Sequence, residues 1–175
     1  MNRIATLLGI LLVLAATGCA MPTERAAQTE AQGVVFVLVR HAEKAKDDPK
    51  DPTLSDAGMA RANRLAESLA KQHVVAAYAT AYRRTQLTAA PTARSHGLDV
   101  RTHDAGMPAV EFARQLRASH RTGTVLVVGH SNTIPELAGA LCACPVAPMA
   151  EDEFDRRMDI RIDADDRATL AQRRD

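Results

Sequence analysis

Two stretches of the chain are apolar without a break. Residues 34–39 and residues 124–128 are rich in valine and show no alternation. Strands buried on both faces read this way, because both sides of the pleat meet a core. The first run stops at Arg40-His41 and the second at Gly129-His130-Ser131-Asn132. A buried strand cannot continue into a cation, so the chain leaves the sheet at those points. The carboxyl ends of strands are where open α/β sheets place their ligand crevices. Elsewhere the apolar spacing changes to three and four. Ala62, Leu65, Ala66 and Leu69 predict a helix that is capped by Ser55, carries Asp56 in its first turn and runs to about Gln72.

The same reading continues along the chain. Residues 74–79 predict a second strand. Residues 84–95 predict a helix in which Pro91 either makes a kink or shifts the start, with Gly97 as its C-cap. Residues 98–102 predict a third strand. Residues 108–119 predict a helix whose period is set by Val110, Ala113, Leu116 and Arg117, with Pro108 in its first turn. A further helix begins near Pro135 and ends near Leu141. Residues 158–163 alternate and predict an edge strand with one wet face. Residues 45–52 and 144–150 read as loops. Strand and helix alternate throughout, so the expected class is α/β: three α/β/α layers around a mostly parallel sheet. Residues 34–175 form one domain with no internal repeat.

Composition narrows the function classes. The 175 residues are 46% apolar and 25% charged, ordinary for a globular protein, but only 3% aromatic with no Trp. The core is therefore built from Ala, Leu and Val. A net charge of +1 and few rings to stack on bases argue against nucleic acid or a polybasic membrane face.

The amino terminus is set apart. Residues 1–18 combine a short positive start with the apolar stretch 4–16 and small residues before Cys19, the pattern of a secretory signal. Small residues directly before a cysteine resemble the lipobox of bacterial lipoproteins. That resemblance implies lipidation of Cys19, export, and a periplasm-facing position in the cell envelope, held to the membrane by lipid. Residues 19–33 read as a flexible tether. Cys142 and Cys144 are expected to be packing residues or a labile thiol pair, because a bridge across one residue is geometrically demanding. No further metal ligands lie near them in sequence.

The strand ends deliver two histidines and at least two arginines to one edge. Neutral imidazole is a good nucleophile, and arginine holds tetrahedral oxyanions by paired hydrogen bonds. Phosphoryl transfer through a phosphohistidine fits this inventory. His73, His96, His103 and His120 lie near element ends and are expected to face solvent.

Four motifs then carry a resemblance. Val39-Arg40-His41-Ala42-Glu43-Lys44 resembles the Arg-His-Gly-Glu signature of the histidine phosphatase (phosphoglycerate mutase-like) superfamily, with Ala42 in place of Gly as in its short branch. Leu54-Ser55-Asp56-Ala57-Gly58 is similar to its helix entry. The stretch from Tyr78 to Ala89 is similar to its Ser-x-x-x-Arg-x-x-x-Thr-Ala segment and selects Arg84 over Arg83. Val127-Val128-Gly129-His130 is similar to its second-histidine motif. The resemblance implies a phosphatase in which His41 is phosphorylated and Arg40, Arg84 and His130 form the phosphate pocket. Ser131, Asn132 and Glu43 would bind substrate, although Glu43 reads equally as an ion-pair partner for Lys44. No metal and no cofactor are implied. Many members carry an acid for the leaving group; Asp104 and Glu111 are the candidates, and Asp104, directly after a strand, is the better placed. The implied partner is a small phosphorylated substrate or a phosphoprotein. A phosphomutase and a catalytically idle phosphate-binding module of the same fold are the rival readings.

Overall fold

The computed structural model describes residues 33–174. The signal peptide, Cys19 and all of the tether except Gly33 lie outside the described residues. The chain runs β1 (Gly33–Arg40), α1 (Asp56–Leu69), β2 (Val74–Ala79), α2 (Arg83–Ser95), β3 (Val100–Thr102), α3 (Ala109–Ser119), β4 (Gly123–Gly129), α4 (Thr133–Cys142), β5 (Arg156–Asp163) and β6 (Ala168–Arg174). One six-stranded sheet has the order β3-β2-β4-β1-β5-β6. β3, β2, β4 and β1 pair in parallel; β5 is antiparallel to both β1 and β6.

The continuous apolar runs are buried on both faces, as their pattern demands. Phe36, Leu38, Val125 and Val127 face a core completed by Phe112 and Leu116 of α3 and Ile134, Leu137 and Leu141 of α4. Val37, Val39, Leu126 and Val128 face Leu65 and Leu69 of α1 and Ala89 and Ala93 of α2. Helices therefore cover both faces, giving the three layers. Many of the residues in this second layer are Ala and Val, and α2 lies close on β2 and β4 while α1 packs beside α2. Ser55 caps α1 by accepting a hydrogen bond from the Gly58 amide at 3.2 Å. Among the described residues no helix is long and apolar enough to cross a membrane.

Several expectations are corrected. Residues 158–163 do not form an edge strand. They lie inside β5, between β1 and β6, and Met158, Ile160 and Ile162 are buried. The edge on that side is β6, where only Ala168 and Leu170 pack against the core and the last three residues are polar. Val110 is 75% exposed and does not define the buried face of α3, which is set by Phe112, Ala113 and Leu116. α1 stops at Leu69, before Gln72, and β3 begins at Val100 after a tight turn through Gly97 at φ +66°.

Cys142 and Cys144 form a disulfide, not a free thiol pair. Ala143 between them adopts the left-handed conformation (φ 51°, ψ 39°), which ends α4 and folds the chain back. The two Cα atoms come to 5.2 Å, within the range a bridge spans.

His73 is exposed as expected, but His96, His103 and His120 are only half exposed. His103 stacks on Phe112 at 4.2 Å between centroids, and His120 Nε2 lies 2.9 Å from the Tyr78 hydroxyl.

Candidate active site

Parallel register brings the strand ends together. Arg40 of β1 pairs with Gly129 of β4, and Val128 of β4 pairs with Ala79 of β2, which in turn pairs with Thr102 of β3. The residues that follow each strand, His41, His130, Thr80 and His103, therefore emerge along one edge. Because β5 runs antiparallel, the segment before it enters at the same edge, with Val39 opposite Arg157. That segment brings Glu151 and Phe154, which sequence reading missed because nothing in the chain announced the direction of β5.

His41 is buried at the centre. Its amide donates to the Gly129 carbonyl at 2.9 Å, which fastens the loop to the end of β4. Its Nδ1 lies 2.8 Å from the Ala42 carbonyl. A carbonyl can only accept, so Nδ1 carries the proton and Nε2 carries the lone pair. Burial, reinforced by the charges of Arg40, His130 and Arg84, lowers the His41 pKa to about 4 and keeps the ring neutral near pH 7. The Ala42 amide donates to Thr88 Oγ1 at 3.0 Å, tying the loop to α2.

His130 sits edge-to-face against His41, with 5.5 Å between ring centroids. Burial, with the nearby Arg84, His103 and Arg40 charges, lowers its pKa to about 4. A short hydroxyl chain holds its ring. Thr85 Oγ1 lies 2.7 Å from the Tyr82 carbonyl, 3.0 Å from the Thr80 carbonyl and 2.8 Å from Thr80 Oγ1. Thr80 Oγ1 in turn lies 3.0 Å from His130 Nε2. Thr80 and Thr85 are fully buried, so this chain holds without competition from water.

Arg40 is 3% exposed. Its Nη1 donates to the Ala150 and Glu151 carbonyls at 3.1 and 2.7 Å, its Nη2 lies 3.3 Å from Glu151 Oε2, and its guanidinium covers the Phe154 ring at 4.2 Å. Arg84 covers the Tyr82 ring at 4.2 Å and lies 3.6 Å from Asp51 Oδ1. The Nε donors of both arginines are buried with no hydrogen-bond partner among the described residues. Arg83, by contrast, points to solvent, where it approaches Asp47 at 3.9 Å and its amide donates to Asp51 Oδ1 at 3.0 Å. The loop of residues 44–51 therefore reaches the site through Asp51.

The other predicted residues divide. Ser131 donates to Glu151 Oε1 at 2.5 Å at the margin of the site. Asn132 takes the N-cap position of α4 without a side-chain cap bond. Glu43 is held by Arg61 of α1, 2.7 Å from Nη2, and not by Lys44. Asp104 is exposed, and its Oδ1 accepts from the Gly106 amide at 2.9 Å, so it caps its own turn. Among the described residues no hydrogen bond or ion pair joins the Asp104 carboxylate to His41, His130, Arg40 or Arg84; the Asp104 carbonyl lies 3.2 Å from His103 Nδ1. Glu111 pairs with Arg114 on the exposed face of α3 at 2.7 Å, a surface charge. Among the described residues no cluster of His, Cys, Asp or Glu side chains has the geometry to hold a metal ion.

Residues 36–107 match the histidine phosphatase superfamily (branch 1). The matched segment contains Arg40, His41, Arg84 and Asp104 and ends before His130. No curated relative matches the chain by sequence. Solved structures share the fold. The protein histidine phosphatase SixA, complexed with tungstate, aligns with a TM-score of 0.63 at 18% identity, covering 80% of this chain and 96% of its own. A protein from Nakamurella multipartitia named as a phosphohistidine phosphatase SixA aligns at 0.60 and 23% identity, covering 82% and 97%. A mycobacterial glucosyl-3-phosphoglycerate phosphatase aligns at 0.60 and 18% identity, covering 80% and 97%.

Proposed function

We propose that this chain, which carries the histidine phosphatase superfamily match over residues 36–107, is a phosphatase acting through a phosphohistidine on His41. The observation that carries the reading is the state of His41. It is a buried neutral imidazole with Nδ1 committed to the Ala42 carbonyl, leaving Nε2 as the nucleophile beside two arginines. The unpartnered Nε donors of Arg40 and Arg84 support the same reading, because buried donors require acceptors and phosphate oxygens supply them.

In the first step the Nε2 lone pair forms a bond to phosphorus while the bond to the leaving oxygen or nitrogen breaks, and the leaving group departs with that electron pair. The arginine donors hold the equatorial oxygens as negative charge spreads over them. In the second step water attacks phosphorus, the N–P bond breaks, and inorganic phosphate and neutral His41 are regenerated. Asp104 is tied to its own turn, which supports substrates whose leaving group departs without a protein acid, such as aryl phosphates and phosphoramidates already protonated on nitrogen. His130, held by Thr80 and set edge-to-face against His41, would line the phosphate site.

The test is phosphate release from an aryl phosphate in the presence of chelator, with His41→Ala alongside. Release that survives chelator and is lost in the variant supports the reading. Release that persists in the variant overturns it. Export on a lipid at Cys19 is proposed on the sequence pattern and supported by the Cys142–Cys144 bridge, since disulfides persist in oxidising compartments. Metabolic labelling with a fatty acid, lost in Cys19→Ser, tests it.

A further inference from the structure

A groove of about 520 Å³ opens beside the site, between α4 and the loop that follows the disulfide. Ser131, Asn132 and Glu151 form its near end and are shared with the margin of the site. Pro135, Val146, Pro148 and Met149 contribute apolar surface beyond them, and Glu136 stands on the α4 side. The lining contains two carboxylates and no cation. Glu136 is exposed, and no hydrogen bond or ion pair engages its carboxylate among the described residues. The site next door has the opposite character, with Arg40, Arg84 and two histidines gathered at the strand ends.

We propose that this groove receives the leaving group of the substrate, and that the substrate is dipolar: a phosphate joined through a short apolar stem to a cationic amine. The proposal rests on the phosphatase reading and specifies its substrate class. Phosphate on the arginine side and ammonium on the Glu136 side would match the two fields at once. Ser131 stands just before α4 and Glu136 lies in its first turn, so the groove runs from the margin of the site to the Glu136 carboxylate. The apolar walls accept the stem, and the open groove lets the amine keep part of its hydration.

The experiment compares 4-(2-aminoethyl)phenyl phosphate with 4-propylphenyl phosphate, an uncharged-stem analogue of similar size, in turnover and in calorimetric binding. The protein and its Glu136→Gln variant are both measured. The expected result is a several-fold preference in kcat/KM and in Kd for the amine, shrinking by about fivefold in Glu136→Gln, the scale of one exposed ion pair. The propylphenyl ester should be handled equally by both proteins. Equal handling of the two ligands by the wild type, or a preference untouched by Glu136→Gln, overturns the proposal. If aryl phosphate is not hydrolysed at all, the phosphatase reading fails separately, and the binding ratio still decides whether the groove selects a cation.

Discussion

Thr80 Oγ1 lies 3.0 Å from His130 Nε2 and 2.8 Å from Thr85 Oγ1, so one buried hydroxyl ties the second histidine to the start of α2. Replacing Thr80 with Val keeps the shape and removes that partner. The His130 and Thr85 groups lose a partner in a water-free setting, which costs about 1–3 kcal/mol. Thr80→Val should therefore lower stability by that order in denaturant titration and should reduce kcat more than it raises KM.

The pH response follows from the two imidazoles. Both have folded pKa values of about 4, below the ordinary histidine value of 6.5. The unfolded chain therefore binds more protons than the folded one between pH 6.5 and 4, and stability rises with pH across that window. Their neutral state is undisturbed above pH 6.5, and stability is lost progressively as pH falls toward 4. Thermal unfolding at a series of pH values should show Tm dropping through this window, with a shallower drop in His130→Asn. The acid limb of kcat/KM, corrected for ionisation of the substrate phosphate, should likewise fall well below 6.5.

Gly58 explains why a glycine follows the helix cap. A Cβ at this position would collide with the Glu43 carbonyl, and the Ser55 amide donates to that same carbonyl at 2.9 Å. α1 thus lies directly against the loop that leaves β1 with His41. Gly58→Ala should cost about 1–3 kcal/mol by overpacking. It should also depress activity with no change in groups that touch phosphate, measurable by parallel unfolding and turnover assays.

Glu151 competes with incoming anions. Its carboxylate lies 3.3 Å from Arg40 Nη2 and accepts from Ser131, contacts that a phosphate would offer to take over. The Ser131 hydroxyl, then Arg40, hold its pKa below the usual carboxylate value, so it is an anion at neutral pH. Glu151→Gln should let inorganic phosphate inhibit at a several-fold lower concentration. An unchanged or weaker inhibition would show that the carboxylate does not oppose anion entry.

How far the sequence was legible varies with the kind of signal. β1 and β4 were readable because a buried parallel strand needs an unbroken apolar run, and their ends located His41 and His130. Arg84 was readable through motif register, and the structure leaves Arg83 in solvent. Three things were not readable. β6 is an edge with no fully buried residue, and its apolar positions are limited to Ala168, Leu170 and Ala171, so periodicity had little to detect. Glu151 and Phe154 reach Arg40 from more than a hundred residues away, through the antiparallel entry of β5, and local pattern holds no record of that pairing. The Cys142–Cys144 bridge depends on the left-handed backbone at Ala143, a conformation that alanine seldom adopts and its sequence does not announce.

The most direct measurement of the central claim is a search for the intermediate itself. Rapid quenching of the protein with aryl phosphate into alkali, followed by mass spectrometry of the peptide containing His41, reads the covalent state of that ring. The account predicts a phosphate on His41 that is stable in base, labile in acid and absent from His41→Ala. Rapid turnover with no phosphate on His41, or with phosphate on another residue, would contradict it.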